Sequence, residues 1–171
     1  YDATRDGRLP MLMWAYPVEY KDKEQAGQVK ESPHNFIQLF YGSPVYWAAR
    51  GFAILDDADF PIIGEGEKQP NDTFIEQLVA NAAAAIDYTA DRGVTDRNRV
   101  AIGGHSYGAF MTANLMAHCD LFAAGIARSG SYNRSLTPFG FQAEERTFWD
   151  ATDVYLQMSP FVHADKINEP L

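Results

Sequence analysis

Short apolar runs separated by amphipathic or polar stretches set the pattern of this chain, and the spacing within each predicts an element. Leu9 to Ala15 follows the turn-like Asp6-Gly7-Arg8 and reads as a buried strand. Lys21 to His34 is polar and carries Gly27 and Pro33, which predicts an exposed loop. Ser43-Pro44 supplies an N-cap with proline at the first helical position, and Gly51 supplies a C-terminal stop, so a short helix is expected over Pro44 to Arg50. Gly51 to Leu55 has the length of a buried strand; it runs into Asp56-Asp57 and a Pro/Gly-rich stretch from Pro61 to Pro70 that predicts a loop. Thr73-Phe74-Ile75-Glu76 matches a capping box, and Ile75, Leu78, Val79, Ala82 and Ile86 form one helical stripe that ends at Gly93. Arg99 to Gly103 is strand-like, Tyr107 to His118 is helical and apolar on most faces, and Leu121 to Ala127 is strand-like again.

This βαβαβ order predicts an α/β domain with a mostly parallel sheet covered by helices on both faces, and a ligand site beyond the C-terminal ends of the strands. No repeat, linker or low-complexity tract interrupts it, so residues 1–171 are expected to be one continuous unit. The chain starts without Met in a loop-like segment and stops on Glu169-Pro170-Leu171, which resembles the beginning of a further strand. Truncation at both ends is therefore expected.

Composition narrows the functions. Apolar residues make up 46% of the 171 positions, enough for a core. Lys plus Arg number 14 and Asp plus Glu 23, a formal charge of −9 that argues against a broad nucleic-acid surface. No apolar run approaches the ~18 residues of a membrane span, and residues 1–6 show no targeting pattern. The one cysteine, Cys119, excludes an internal disulfide and leaves the compartment open, as the sequence leaves the oligomeric state.

The sharpest chemical signal is Gly104-His105-Ser106-Tyr107-Gly108, a G-x-S-x-G between a predicted strand and a predicted helix. Such a turn holds a serine in a strained conformation that only small neighbours permit, here Gly104 and Gly108. It would lift the Ser106 hydroxyl above the sheet at a helix N-terminus, where the Tyr107 N–H can stabilise an oxyanion. A glycine-rich phosphate turn is the competing reading, but no G-x-G-x-x-G or G-K-[ST] pattern accompanies the motif. A nucleophilic serine needs a base and an acid downstream in the α/β-hydrolase order. His118 lies three helical turns, ~18 Å, beyond Ser106. His105 faces away around the turn, and His163 lacks the preceding strand and acid. The Asp and His of the triad are therefore expected beyond Leu171. Tyr16, in the expected loop after the first strand, is open to two readings: a hydroxyl donor to an oxyanion, or a packing aromatic.

Arg99-Val100-Ala101-Ile102-Gly103-Gly104-His105-Ser106-Tyr107-Gly108-Ala109-Phe110-Met111 resembles the nucleophile region of the prolyl oligopeptidase family, serine peptidases whose α/β-hydrolase domain is capped by a β-propeller. Gly125-Ile126-Ala127-Arg128-Ser129-Gly130 and Asn133 to Phe141 look like the glutamyl endopeptidase branch, which includes a plastid enzyme of plants and bacterial relatives; Pro61 to Gly66 share the likeness. The resemblance spans Leu9 to the last residue. It implies a partial catalytic domain without propeller, Asp or His. It also implies Ser106 as nucleophile, the Tyr107 N–H as one oxyanion donor and the Tyr16 hydroxyl as the other. Two positions depart from relatives: Pro17-Val18 stands where two glycines follow that tyrosine, and Ala109 where glycine is frequent.

Acyl transfer to Ser106 and hydrolysis by water need no metal or organic cofactor. The resemblance implies peptides or small proteins as substrates with glutamate before the scissile bond, whose carboxylate must then meet an arginine or lysine in a partly buried site. Arg134 is the first candidate and Arg128 the second, each set against a solvated or structural ion pair. Tyr132, Phe139 and Phe141 are candidates for the pocket wall. A carboxylesterase-type hydrolase and an inactive hydrolase-fold binding module are the alternatives. Lacking a recognisable base, the 171 residues alone are expected to be inactive.

Overall fold

The computed structural model describes residues 7–28, 32, 34, 36 and 38–171. The loop-like start and residues 29–31 and 33 of the expected 21–34 loop lie outside the described residues. Among those described, strands β1 (Leu9–Tyr20), β2 (Ala53–Ile63), β3 (Thr95–His105) and β4 (Ala124–Arg128) form one sheet in the order β2-β1-β3-β4. Every pairing is parallel. The helices are α1 (Lys23–Ala26), which interrupts the expected polar loop, α2 (Phe74–Asp91), α3 (Tyr107–His118) and α4 (Thr152–Gln157).

Strand periodicity divides the faces. Met11, Met13 and Ala15 of β1 join Phe60 and Ile62 of β2, Val100 and Ile102 of β3, and Leu78, Ile86, Phe110, Met111 and Leu115 from α2 and α3 in one core. A fully buried side chain such as Phe60 or Phe110 stabilises this core by about 1.5–3 kcal/mol. Trp14, one residue out of phase, shares a cavity with Ser43 and Pro44 on the opposite face. That face is covered by the 3₁₀ helix Pro44–Arg50, capped by Ser43 Oγ accepting from the Val45 N–H at 3.4 Å and stopped by Gly51 at φ +85°.

Three strands outrun their sequence signals, β3 by running from Thr95 to His105 around the expected Arg99 to Gly103. β1 continues through Tyr16 and Pro17 to Tyr20, so Tyr16 belongs to a strand and not to a loop. Its pairing with β3 stops at Trp14 while its pairing with β2 continues, and this one-sided stretch tolerates Pro17, which has no N–H to donate. β2 runs through Asp56-Asp57 and Pro61 to Ile63 where a loop is predicted from Pro61 onward. It absorbs an extra residue between the pairs Met13↔Leu55 and Ala15↔Ala58, with Asp57 at φ +55°. At the other edge β4 begins later than predicted, and the Gly125 N–H donates to the Pro170 carbonyl at 2.8 Å, which brings the last residues alongside β4.

The α2 start also differs. Thr73 makes no side-chain cap bond; its hydroxyl instead accepts from Gln77 Nε2 at 2.8 Å. The chain enters α2 through the 3₁₀ turn Pro70–Thr73, closed by the Gln69 N–H donating to the Asp72 carboxylate at 3.0 Å. Gln77 further exchanges two 2.9 Å bonds with the Ile63 backbone, tying α2 to the end of β2.

Candidate active site

β3 ends at His105 and α3 begins at Tyr107, so the change from extended to helical backbone falls on Ser106. Its φ of +57° and ψ of −113° are costly for a residue with a Cβ, by about 1–3 kcal/mol. Three bonds hold it there. The Ser106 N–H donates to the Arg128 carbonyl at 2.9 Å, and the Ser106 carbonyl accepts from Ala109 and Phe110 at 3.1 and 3.2 Å. A Cβ on Gly104 would stand 2.5 Å from the Gly108 carbonyl group, and one on Gly108 would stand 2.7 Å from the Ala15 carbonyl oxygen. Both glycines are required by backbone and not by any movable side chain. Gly104→Ala is therefore expected to cost about 1–3 kcal/mol, read as a lower urea midpoint at unchanged m-value, and to displace Ser106.

Ser106 is exposed at the C-terminal end of the sheet. The Tyr107 N–H occupies the first helical position, which has no intrahelical acceptor, at the positive end of α3. Tyr16 of β1, 41% exposed, lies beside Gly108 at the start of α3, and its ring meets that of Tyr107 edge-on at 6.0 Å.

Behind this surface the Tyr107 side chain is buried, stacked on Phe110 at 5.1 Å, with its hydroxyl donating to the Glu19 carboxylate. Burial, then Glu19, pushes the phenol well above its usual range. Burial likewise raises Glu19, against the lowering bond from Tyr107 and the lowering charge of Arg134. Arg134, 5% exposed, lies over the rings of Phe110 at 3.9 Å, Phe141 at 4.5 Å and Tyr107 at 5.4 Å. Its Nε is buried without a hydrogen-bond partner among the described residues. No described carboxylate lies within the 4.0 Å of an ion pair with it, so the structural salt bridge weighed for Arg134 is absent among the described residues. Burial pulls its pKa down, while Tyr107 and Glu19 push it back up.

The remaining candidates fall into different surroundings. Arg128 contributes its carbonyl to the turn, where it accepts from Ser106 N and lies 3.2 Å from His105 Nδ1. Its guanidinium donates to the Tyr41 hydroxyl at 2.9 Å. Tyr132 accepts from the Gly130 N–H at 3.2 Å and donates to the Ala127 carbonyl at 3.3 Å, bracing the turn after β4. Phe141 is buried under Arg134, whereas Phe139 is 79% exposed beside Trp149. His118 and His163 meet at 4.6 Å between ring centroids at the far end of α3, away from Ser106.

Glu19 is the residue the sequence reading passed over. A signal for it exists: Met11, Met13, Ala15, Pro17 and Glu19 share the period-2 face of β1 once the strand is followed past Ala15. Glu144 was also passed over. It is 4% exposed, accepts from Arg146 Nε and Nη2 at 2.8 Å each, and is held low by that arginine against the raising effect of burial.

A strained serine between a parallel strand and a helix, in a sheet of this order, has the strand–turn–helix geometry of the α/β-hydrolase fold. The family model of the prolyl oligopeptidase family matches residues 72–171, and the chain belongs to that family. Two plant proteins, each named "Probable glutamyl endopeptidase, chloroplastic", match the whole chain: that of Arabidopsis thaliana at 58% identity and that of Oryza sativa subsp. japonica at 56%. The chain spans 18% of the length of each. The crystal structure of Porphyromonas gingivalis dipeptidyl peptidase 4 superposes on 99% of this chain with a TM-score of 0.68 at 19% identity, over 23% of its own length, and shares the fold.

Proposed function

We propose that the protein hydrolyses peptide bonds through an acyl-enzyme on Ser106, with a preference for glutamate before the scissile bond. The strained Ser106 turn carries the first part. In this reading Ser106 Oγ attacks the carbonyl carbon and gives its proton to a histidine base. The Tyr107 N–H and the Tyr16 hydroxyl bind the oxyanion, the C–N bond breaks as the amine takes that proton, and water then releases the acid. His118 and His163, which meet at the far end of α3 away from Ser106, are not the base in this reading. The glutamate preference rests on Arg134, a buried cation without a described ion-pair partner, and on the names of the plant relatives. Those names also support placement in a plastid. Among the described residues no helix is long and apolar enough to cross a membrane.

The test treats the full-length protein with a fluorophosphonate probe, maps the adduct by mass spectrometry, and compares peptides with Glu, Pro or Ala before the scissile bond. An adduct on Ser106 with fastest cleavage after Glu is expected. Labelling with another preference removes the arginine pocket and keeps the serine peptidase, while absence of an adduct overturns both.

A further inference from the structure

Two carboxylates that feel one another, Glu19 and Glu144, lie in this region, and they are not equivalent. Glu144 is satisfied by Arg146 and by Asn71 Nδ2 at 3.4 Å, and Arg146 also reaches Asp72 at 2.8 Å. Glu19 has no ion-pair partner within 4.0 Å among the described residues. It accepts from the hydroxyl of Tyr107, the ring over which Arg134 sits at 5.4 Å. Anion and cation therefore share one phenol, the anion at its hydroxyl and the cation at its face. Glu19 also lines a cavity of 390 Å³ between the end of β1 and the segments around residues 66–70 and 143–145, together with Lys21, Lys68, Gln69 and Glu145. It is thus a carboxylate within electrostatic reach of the arginine and within reach of solvent.

We infer that Glu19 is a positioning residue, the internal counter-anion that sets how much of the Arg134 charge is offered to an acidic substrate side chain. The inference rests on the reading of Arg134 given above. A substrate carboxylate brought to Arg134 places a second anion near Glu19, and in a partly buried site that repulsion is weakly screened. Glu19 is the adjustable member of the pair, because burial favours its neutral form while Tyr107 and Arg134 favour its charged one. The groups facing it are Tyr107 from α3, Arg134 and Glu144 from the segments after β4, and Lys21, Lys68, Glu67 and Glu145 around the cavity. As pH falls through the raised Glu19 range, the carboxylate takes a proton, the repulsion disappears, and discrimination for glutamate over glutamine rises. It falls again once the substrate carboxylate protonates, near its ordinary value of about 4.3.

The experiment measures kcat/KM of the full-length protein for matched peptides with Glu or Gln before the scissile bond, from about pH 8 to about pH 5. It compares the wild type with Glu19→Gln, which keeps an acceptor for Tyr107, and with Arg134→Met. Glu19→Gln is expected to raise the Glu:Gln ratio roughly three- to tenfold at neutral pH and to flatten its rise toward acid. If Arg134→Met removes the preference while Glu19→Gln leaves both the ratio and its pH dependence at wild-type values, the role given to Glu19 is wrong and that of Arg134 stands. If Arg134→Met leaves the ratio untouched, the reading of Arg134 fails and this inference with it. Should Glu19→Gln not fold, the wild-type profile decides: a flat ratio over this range overturns the inference.

Discussion

Exchange of Ser106 for alanine is expected to lower kcat of the full-length protein by roughly a millionfold, with little change in the thermal midpoint. The hydroxyl is the only part of Ser106 that the proposed chemistry uses. The backbone bonds that hold the turn, from Ser106 N to Arg128 and from Ala109 and Phe110 to the Ser106 carbonyl, do not involve the side chain. Alanine keeps the Cβ and hence the strain at φ +57°. Glycine would not, so Ser106→Gly should be equally inactive yet more stable than Ser106→Ala by about 1 kcal/mol, read from urea midpoints. That pair of variants separates two properties of one residue. A loss of activity alone would fit any nucleophile, whereas a gain in stability on removing the Cβ would show that the fold holds Ser106 in a conformation it would otherwise leave.

The turn was legible in the sequence because each of its requirements is local. A strand-length run, two glycines four residues apart around a serine, and an apolar helix lie within one stretch of chain, and backbone sterics alone link them. The Ser43 cap, Pro44 and Gly51 were legible for the same reason. What failed was the extent of β1, β2 and β3. Pro17, Asp56-Asp57 and Pro61 are turn-like residues by propensity, and they stay in strands only because β1 loses β3 as a neighbour after Trp14 and β2 can absorb an extra residue. That is sheet context, which no short window contains. The Thr73 cap failed for a related reason: Gln77 engages the threonine hydroxyl and the end of β2, and the helix is entered one turn earlier. The surroundings of Arg134 were the least legible. Its aromatic neighbours include Phe110 of α3 and Phe141 of a later loop, and Glu19 reaches the same phenol from β1, 88 residues before Tyr107. Only the folded sheet brings these segments together.

Arg134→Met is expected to lower kcat/KM for peptides with glutamate before the scissile bond by roughly one hundred- to one thousandfold and to leave the matched glutamine peptides within a fewfold of wild type. The fold should tolerate the change. Met fills much of the space of the arginine stem, and its thioether sits well against Tyr107, Phe110 and Phe141, the rings that the guanidinium now covers. Removing a buried cation that has no ion-pair partner among the described residues also removes a desolvation cost, so the thermal midpoint should hold or rise. Arg134→Ala is a poorer choice, because it leaves a void beneath three aromatic rings and confuses packing with charge. Arg134→Lys is not conservative either, since a point charge on a flexible stem cannot present the planar fork to a carboxylate or stack on those rings. A variant that loses discrimination while gaining stability would mark Arg134 as a charge retained for its ligand. One that loses stability, with the preference unchanged, would mark it as a structural cation held by its aromatic neighbours.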